Sequence, residues 1–393
     1  MRRAASWIMT AMGTDKPRSE IENIILGTVA KVRDHARLKA KDIDAQASFD
    51  PDLWQEIKST RLATLMIPEE LGGAAGSVAL YCDVVETLAT ADCTTATLVH
   101  LQGNNVFLLR FAPNYACGHA LLAEIAEKQL VTAYALTEPM AGSDAARIRA
   151  TARPDGDGYR LNGIKCFSSW ASKADLVLVF ARITTLPTKE NISCFAVRPP
   201  QEGFAISREE KKMGLRGAPL CEITLQDVWV PASHCLGPGG LFREAMTGLE
   251  YSRVGIAAMA VGLAQGAFEY AFKYVQERSV FGQRLSDLQG PQFILSDMAT
   301  EIEAARQLTR EAARRADAGE PFSRFASMAK YYASDVAMRV TTNAVQLLGG
   351  HGYTAEHPVE RMMRDAKAIQ IFEGANELQR ALVFRQLVKE ICR

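Results

Sequence analysis

The order of hydrophobic patterns along the chain constrains its fold more than any other feature. In residues 19–129, apolar side chains recur every three or four positions, which predicts amphipathic helices. Residues 131–231 contain short alternating runs separated by Gly, Pro and Asn, which indicates a small β domain. Helical periodicity returns at residues 253–278 and continues in two further long segments, 293–318 and 325–348. The chain therefore predicts helices, then a sheet, then helices.

This order divides the chain into three units. We predict a helical N-terminal domain over residues 1–130, a middle β domain over 131–238 and a C-terminal helical bundle over 239–393. Helices of 20 to 25 residues run about 30–38 Å and pack most readily as an antiparallel bundle. With 393 residues and 48% hydrophobic side chains, the chain can bury a large core.

The charge balance limits the partners. Lysine plus arginine and aspartate plus glutamate each number 45, so no overall field attracts a nucleic acid or an anionic membrane. No uninterrupted apolar run reaches the roughly 18 to 20 residues that a membrane helix requires. We therefore expect neither a nucleic-acid partner nor a membrane span.

The cysteines and the N-terminal residues indicate where in the cell the protein is located. Eight cysteines stand singly in the sequence, without a CxxC pair, which predicts buried free thiols in a reducing compartment. The basic, mildly apolar start MRRAASWIMTAMG is interrupted by Asp15, Glu20 and Glu22, so we interpret it as a frayed terminus rather than a targeting peptide. A cytoplasmic location is expected, with the mitochondrial matrix as the alternative.

One candidate binding segment is AYALTEPMAGSDA, residues 133–145, where a strand pattern meets a turn. Gly142 and Ser143 offer backbone amides and a hydroxyl to an anion or to a ring carbonyl. Many turns share this arrangement, so the segment alone is a modest functional signal.

A second segment, residues 346–380, is more specific. Its helical pattern ends in Gly349, Gly350 and Gly352, which permit positive φ and the close approach of a ligand, although a plain glycine cap would look the same. Three further segments lie in this order along the chain: PEELGG at 68–73, KMGLRGAPLCEITLQDVWVP at 212–231 and ERSVFGQ at 277–283. Together these segments resemble the acyl-CoA dehydrogenase family over nearly the whole chain.

The resemblance implies a mostly α fold with a middle β domain, in barrel or sandwich form, and a C-terminal four-helix bundle. It implies a flavoprotein oxidoreductase that binds FAD between the middle and C-terminal domains and converts an acyl-CoA thioester to the 2-enoyl-CoA. A homotetramer, a dimer of dimers in which a neighbouring subunit completes each FAD site, is expected. An electron-transfer flavoprotein is the expected electron acceptor, in fatty acid or amino acid catabolism.

The resemblance places the catalytic base at Glu373, in the segment IFEGAN. This glutamate would abstract the α-proton while the flavin N5 atom takes the β-hydride. Apolar neighbours suit a base whose basicity is raised by burial, whereas an isolated loop glutamate is more often a cap or an ion-pair partner. Some family members carry the base just before the residue that matches Arg253, where this chain has Ser252. Glu250 lies two positions further back, about 160° away around a helix.

Further site residues follow from the resemblance. Ser143, Arg253 and Gly374 are expected to contact the substrate, whose thioester oxygen would be polarised by the Glu373 backbone amide and a flavin hydroxyl. The cofactor contacts are expected at Leu136, Thr137, Gly142, Ser143, Phe167, Ser169, Arg278, Phe281, Gln289, Gln346, Gly349, Gly350, Asn376 and Glu377. The family usually has Trp-x-Thr where Phe167, Ser168 and Ser169 stand. His100 lies on the helix that floors the acyl pocket, and we interpret it as a satisfied core residue outside the site.

Three alternative functions are open at this stage. The acyl group could be carried by an acyl-carrier protein instead of coenzyme A, which the sequence does not distinguish. A flavin oxidase or monooxygenase of the same fold is disfavoured by Glu373, which such relatives typically replace. A scaffold that has lost its chemistry is disfavoured by the intact motifs. For the acyl group, we prefer a short or medium chain, branched and aromatic chains included.

Overall fold

The computed structural model describes residues 20–187 and 191–392. The frayed terminus predicted before residue 20 lies outside the described residues. Within them, the order of helices, sheet and helices is the one expected from the hydrophobic patterns.

The N-terminal helices pack around a buried central helix. Their bounds are α1 Glu20–Gln46, α2 Pro51–Ser59, α3 Val78–Ala89, α4 Cys93–Arg110 and α5 Tyr115–Lys128. Asp92 caps the N-terminus of α4, and its carboxylate accepts a hydrogen bond of 2.8 Å from the Thr95 amide. Apart from Arg110, every residue of α4 is buried, polar ones included. This helix therefore brings polar groups such as His100 into the interior.

The middle domain is one mixed sheet. Its strands are β1 Thr132–Ala135, β2 Thr151–Asp155, β3 Gly158–Ser169, β4 Leu176–Ile183, β5 Ile192–Val197, β6 Phe204–Glu209 and β7 Leu220–Pro231. Among the described residues the sheet order is β1-β4-β2-β3-β7-β6, and β5 pairs with the other edge of β4. A register shift in β3 between Lys165 and Ser168 interrupts its pairing with β7. This irregularity turns the chain outward at Phe167.

The C-terminal domain is built from long helices. A short hairpin, β8 Ser279–Val280 and β9 Gln283–Arg284, separates the first two of them. The helices are α6 Phe242–Glu277, α7 Gln289–Asp317, α8 Ser323–Leu348, α9 Val359–Ile371 and α10 Asn376–Ile391, and α8 packs against the other four. Helix α6 starts earlier than the hydrophobic pattern at residue 253 indicated, because its first turns carry exposed or half-exposed polar residues.

Helix α6 is also long and apolar enough to cross a membrane, which the sequence did not lead us to expect. However, 78% of its most apolar window is buried inside the protein. It packs against α3 and α4 as well as α7 and α8, and the two helical domains share one hydrophobic core. We therefore interpret α6 as the core helix that joins the two helical domains.

All eight cysteines are free, as predicted. Seven of them are buried, and burial raises the pKa of thiols such as Cys82 and Cys93 well above their ordinary value. The expectation of burial is wrong for Cys392, which is exposed one residue beyond α10.

Candidate active site

The predicted base lies in a strained turn between α9 and α10. Helix α9 ends at Ile371 and α10 begins at Asn376. Glu373 has φ of +53° and Gly374 has φ of +95°. A left-handed backbone costs a non-glycine residue free energy, of order 1–3 kcal/mol, and persists only where the surroundings enforce it. Such strain is concentrated at functional sites.

A buried lysine holds this turn. The Lys330 ammonium donates hydrogen bonds to Gln370 O at 3.3 Å, Gly374 O at 2.9 Å and Asn376 Oδ1 at 2.9 Å. Burial lowers the pKa of Lys330 to about 8, although the nearby Glu373 carboxylate acts in the opposite direction. Both residues that flank the turn, Gln370 and Asn376, are therefore tied to α8.

The amide of Asn376 is already engaged within the protein. Its nitrogen lies 2.8 Å from Ser334 Oγ and 2.8 Å from Asp335 Oδ1, and its oxygen accepts from Lys330. Asn376 is buried, whereas the next residue, Glu377, is exposed. In this arrangement Asn376 supports the turn, and the expected cofactor contact falls more naturally to Glu377.

The Glu373 carboxylate meets two side chains that come from other helices. Its Oε1 lies 3.1 Å from His100 Nε2, and its Oε2 accepts a hydrogen bond from the Ser252 hydroxyl. His100 and Ser252 are fully buried, and the Glu373 side chain is 13% exposed. Helices α4 and α6 and the turn after α9 therefore converge on one carboxylate. The contact with His100 is one that our interpretation of the sequence missed.

These contacts change the expected basicity of Glu373. Burial acts to raise its pKa, as the sequence argument assumed. The charge and hydrogen bond of His100, the Ser252 hydrogen bond and the Arg253 charge act in the opposite direction and outweigh burial. The pKa of Glu373 is therefore below its ordinary value, so the expectation that burial raises its basicity is wrong.

The other positions considered for a base do not supply one. Ser252 donates its hydroxyl to Glu373, so the residue before Arg253 serves the carboxylate instead of replacing it. Glu250 points elsewhere and accepts a hydrogen bond of 2.6 Å from Ser323 Oγ. Of these acidic positions, Glu373 is the one placed among the converging helices.

Arg253 is a buried cation beside the base. Its Nε atom is buried and has no hydrogen-bond partner among the described residues. Burial lowers the pKa of Arg253, against the opposing charges of Glu250 and Glu373. An unpartnered guanidinium nitrogen is costly, so this position suits a polar group of a ligand.

The segment with Gly142 and Ser143 forms an exposed loop after β1. It is tied to β3 by a hydrogen bond of 2.9 Å from the Cys166 amide to Thr137 O. Leu136 is buried, Thr137 and Ser169 are half-buried, and Gly142 and Ser143 are exposed. Phe167 follows Cys166 with φ of +56° and is 60% exposed. The loop and this aromatic ring therefore lie side by side at the surface.

A buried ion pair supports this loop, and we did not predict it from the sequence. Lys165 Nζ lies 2.6 Å from Glu138 Oε1 and 3.1 Å from Leu136 O. The Glu138 carboxylate also accepts hydrogen bonds from the amides of Arg149 and Ala150 at 2.5 and 2.9 Å. Because all of these groups are buried or backbone, the ion pair fixes the loop to the sheet.

The remaining predicted cofactor residues lie near the ends of α6 and α8. Arg278, Phe281 and Gln289 are exposed, and Phe281, at 98% exposure, occupies the tip of the β8–β9 hairpin. Gln346, Gly349 and Gly350 are exposed where α8 ends. A contact of 2.8 Å between Tyr274 OH and His351 Nδ1 joins the two regions. No described hydrogen bond links either set to Glu373.

The residues present fit an FAD. Phe167 and Phe281 are exposed aromatic rings that a flavin or adenine ring can cover, and Arg278 is an exposed cation suited to phosphate. Among the glycines that border open space, where an added Cβ would meet no atom within 4 Å, are four in these segments: Gly142, Gly282, Gly349 and Gly350. Ser168 Oγ is buried without a partner among the described residues.

Comparison with known proteins agrees with these observations. Three family models match the chain: acyl-CoA dehydrogenase N-terminal domain at residues 20–116, middle domain at 133–228 and C-terminal domain at 240–388. The chain is 40% identical to a probable acyl-CoA dehydrogenase of Mycobacterium leprae, covering 89% of this chain and 90% of the relative. It is 39% identical to cyclohexane-1-carbonyl-CoA dehydrogenase of Geobacter metallireducens, covering 95% and 98%.

Solved structures give the same result. Butyryl-CoA dehydrogenase from Megasphaera elsdenii superposes with a TM-score of 0.91 at 35% identity, covering 95% of this chain and 100% of that one. A glutaryl-CoA dehydrogenase from Mycobacterium smegmatis in complex with FADH2 has a TM-score of 0.87 at 25% identity, covering 95% of each chain.

Proposed function

Because this chain belongs to the acyl-CoA dehydrogenase family, we propose that it removes an α-proton and a β-hydride from an acyl-CoA thioester and leaves the 2-enoyl-CoA. The cofactor is FAD, which accepts the hydride when bound. The observation that carries the proposal is the position of Glu373, where a strained turn and two helices present one carboxylate.

Glu373 takes the α-proton in this proposal. Its two oxygens contact His100 and Ser252, and an α-carbon needs only one of them. Breaking one contact removes part of what lowers the pKa of the carboxylate, so binding of the substrate makes Glu373 a stronger base. The Cα–H bond then breaks as the Glu373 O–H bond forms.

The neighbouring residues bind and orient the thioester. The Glu373 backbone amide would donate to the thioester oxygen and stabilise the charge that develops there. Arg253, with its unpartnered Nε, and Ser143, on the exposed loop, would bind the polar portion of the substrate, and Gly374 would contact it beside the base. Lys330 keeps the turn fixed, so the amide and the carboxylate of Glu373 act from one position.

The residues proposed to bind FAD form three groups according to the part of the cofactor, or the subunit, that they would contact. Leu136, Thr137, Gly142, Ser143, Phe167 and Ser169 would border the flavin ring, and Arg278, Phe281 and Gln289 would bind its nucleotide half. Gln346, Gly349 and Gly350 would reach the cofactor of a neighbouring subunit. Phe167 keeps an aromatic wall where the family usually has tryptophan.

We place the acyl group in the short to medium range, cyclic and branched groups included. The support is similarity to proteins named for butyryl-CoA and cyclohexane-1-carbonyl-CoA. One methylene changes discrimination by about 1–3 kcal/mol, so close homologues of the best ester will also react.

A homotetramer that passes electrons to an electron-transfer flavoprotein completes the proposal. Helix α10 supports assembly, since Phe384, Val388 and Ile391 recur on one face and are exposed in the single chain. A cytoplasmic location accords with the free thiols.

The test is anaerobic reduction of the FAD holoenzyme by a panel of acyl-CoA esters that includes butyryl, branched and cyclohexane-1-carbonyl thioesters. Rapid bleaching of the visible flavin band by one ester, with formation of the 2-enoyl-CoA, is the expected result. A flavin that every CoA ester leaves oxidised would contradict the proposal, and the same acyl groups on a carrier protein would then be the next substrates to try.

A further inference from the structure

A buried tyrosine stands behind the histidine that contacts the base. Tyr81 on α3 and His100 on α4 are each 1% exposed. The Tyr81 hydroxyl oxygen lies 2.7 Å from His100 Nδ1 and 3.0 Å from the His100 backbone carbonyl oxygen. His100 Nε2 faces Glu373 Oε1 on the other side of the ring. The three side chains therefore form one chain of contacts that ends at the catalytic carboxylate.

Two glycines make room for this pair of rings. A Cβ atom at Gly103 would lie 2.5 Å from the Tyr81 ring. A Cβ atom at Gly255 would lie 2.6 Å from the same ring and 2.7 Å from His100 Nδ1. Glycines on α4 and α6 thus admit the tyrosine and the imidazole, and both rings pack closely against the backbone of these two helices.

The contacts define where the hydrogens lie. Burial raises the pKa of Tyr81 well above its ordinary value, so its oxygen carries one hydrogen. The carbonyl oxygen of His100 can only accept, so the hydroxyl donates to it, and Nδ1 must donate to the hydroxyl oxygen. The opposite assignment would set two lone pairs against each other at 3.0 Å.

The other ring nitrogen is also a donor. His100 Nε2 lies 3.1 Å from a carboxylate oxygen, which can only accept when ionised. Ser252 Oγ lies 3.3 Å from Nε2, but its hydrogen is directed to the second carboxylate oxygen. With Glu373 ionised, both imidazole nitrogens carry hydrogen in this arrangement, and the ring forms a buried ion pair with Glu373.

We propose, on the basis of the dehydrogenase function proposed above, that His100 is a positioning residue that holds Glu373 ionised and in place as an imidazolium maintained by Tyr81. Other ionisable groups also face this carboxylate: Tyr81 from α3, Tyr134 from β1, Arg253 from α6 and Lys330 from α8. None of these four makes a described ion pair with the Glu373 carboxylate, whereas His100 Nε2 lies 3.1 Å from its Oε1.

The ion pair has a consequence for the chemical step. When Glu373 takes the α-proton, its carboxylate becomes neutral and the imidazolium loses its counter-ion. A positive charge is then uncovered beside the base while the electron pair of the broken Cα–H bond becomes the second bond between Cα and Cβ and Cβ loses its hydride, which a bound FAD would accept. An uncovered charge in a dry site favours the negative charge that develops there.

The first experiment uses His100→Gln, whose side-chain amide can still donate to Glu373 but carries no charge. In the wild-type FAD holoenzyme without substrate, infrared difference spectra should show no protonated Glu373 carboxylic acid at mildly acid pH, with Glu373→Gln used to identify the band. In His100→Gln the band should appear at higher pH, because burial then dominates. Reduction by acyl-CoA should fall about tenfold at acid pH and recover at alkaline pH, because a raised pKa leaves less of the Glu373 carboxylate ionised.

A second variant and a matched control complete the test. Tyr81→Phe retains the ring between the glycines and removes the acceptor for Nδ1, so it should shift the same band in the same direction. Tyr270→Phe removes a hydroxyl from a chemically similar pair elsewhere in the protein, in which Tyr270 OH lies 2.8 Å from His357 Nδ1. This variant should leave the pH dependence of the Glu373 band unchanged.

Failure of this inference is distinct from failure of the proposed function. If the wild-type protein reduces its FAD with an acyl-CoA but the Glu373 band titrates alike in all variants, His100 does not control the base. If His100→Gln lowers the rate of flavin reduction equally at every pH, the inference is also overturned, since such a loss indicates structural support alone. If no ester reduces the wild-type flavin, the proposed function fails, whereas the infrared titration still tests the ion pair.

Discussion

The Lys330 ammonium lies 2.9 Å from the backbone oxygen of Gly374, although 44 residues separate them in the chain. The contact joins the middle of α8 to the residue that follows the proposed base. Gln379 donates to the same oxygen at 3.1 Å from α10. One carbonyl at the turn is thus held from two helices, which keeps the left-handed conformations of Glu373 and Gly374 in place.

Lys330→Met should therefore weaken both the turn and the chemistry. Three oxygens lose a buried donor, at a cost of about 1–3 kcal/mol each when left unsatisfied, partly offset by removing a buried charge. We expect a lower thermal midpoint and slower flavin reduction with FAD still bound. The melting curve and the stopped-flow reduction rate measure the two effects.

The pH dependence of the wild-type rate provides a second check on Lys330. Its pKa of about 8 means that the ammonium loses its proton as pH rises through that value, so the rate should decline severalfold there. Lys330→Met should lack this decline. Lys367→Met, which removes an exposed lysine on α9, should behave as wild type, and a decline that persists in Lys330→Met would contradict the assignment.

Glu373→Gln should retain yellow FAD and thioester binding yet lose reduction by several orders of magnitude. The amide preserves the shape of the side chain but cannot accept the α-proton, and general base catalysis contributes about 10²–10⁴-fold or more. Glu127→Gln, an equivalent change at an exposed position on α5, is the control. Normal turnover by Glu373→Gln would show that the base lies elsewhere.

The sequence predicted this site unevenly, for physical reasons. Periodicity reports which face of a helix or strand is buried, so the helices and the middle sheet could be predicted from the sequence. The motif placed Glu373 in its turn. The partners of Glu373 could not be predicted in this way, since His100 is 273 residues away in the chain and meets Glu373 only because α4, α6 and the turn pack together. Buried Lys165 and Lys330 are likewise invisible to periodicity, which assigns lysine to the surface.

Some local signals for the missed contacts were present in the sequence. Gly103 and Gly255 interrupt apolar helices, where glycine is unfavourable unless another group needs the space. Here that group is the Tyr81 and His100 pair. A glycine in each of two core helices, with a histidine one turn before the first, is a pattern that predicts close packing around a polar residue.

Arg253→Gln should weaken thioester binding more than it affects FAD. A charge-assisted hydrogen bond contributes about 1.5–3 kcal/mol, which corresponds to roughly a tenfold to hundredfold rise in Kd for the acyl-CoA. Equilibrium titration of the flavin spectrum with a non-reacting thioester measures it. Arg243→Gln, exposed on the same helix, should leave this Kd unchanged.

Arg278→Gln should weaken FAD instead. Arg278 is exposed at the end of α6 in the chain described here and would bind the cofactor phosphates. We expect the variant to lose FAD on dilution or gel filtration and to regain activity at high FAD. Arg153→Gln, an exposed arginine on β2, should retain the cofactor, and equal retention by Arg278→Gln would remove Arg278 from the site.

The last prediction concerns stability as a function of pH. Burial raises the pKa of Asp365 to about 7, against a hydrogen bond of 2.5 Å from the Leu215 amide, while the Asp92 charge raises it further and the Arg361 charge lowers it. Between about pH 4 and 7 the folded protein therefore binds a proton at Asp365 that the unfolded chain does not. The free energy of unfolding from this group should fall as pH rises, by about 1.4 kcal/mol per unit.

Asp365→Asn should remove this dependence. The asparagine oxygen can still accept from the Leu215 amide, and the side chain carries no charge to bury, so the variant should gain stability relative to wild type as pH rises from 4 to 8. Urea unfolding of the holoenzyme across this range measures the difference. Asp42→Asn, at an exposed position on α1, should show none, because a solvated carboxylate gains nothing from neutralisation. A constant difference between Asp365→Asn and wild type at every pH would show that Asp365 stays ionised in the fold.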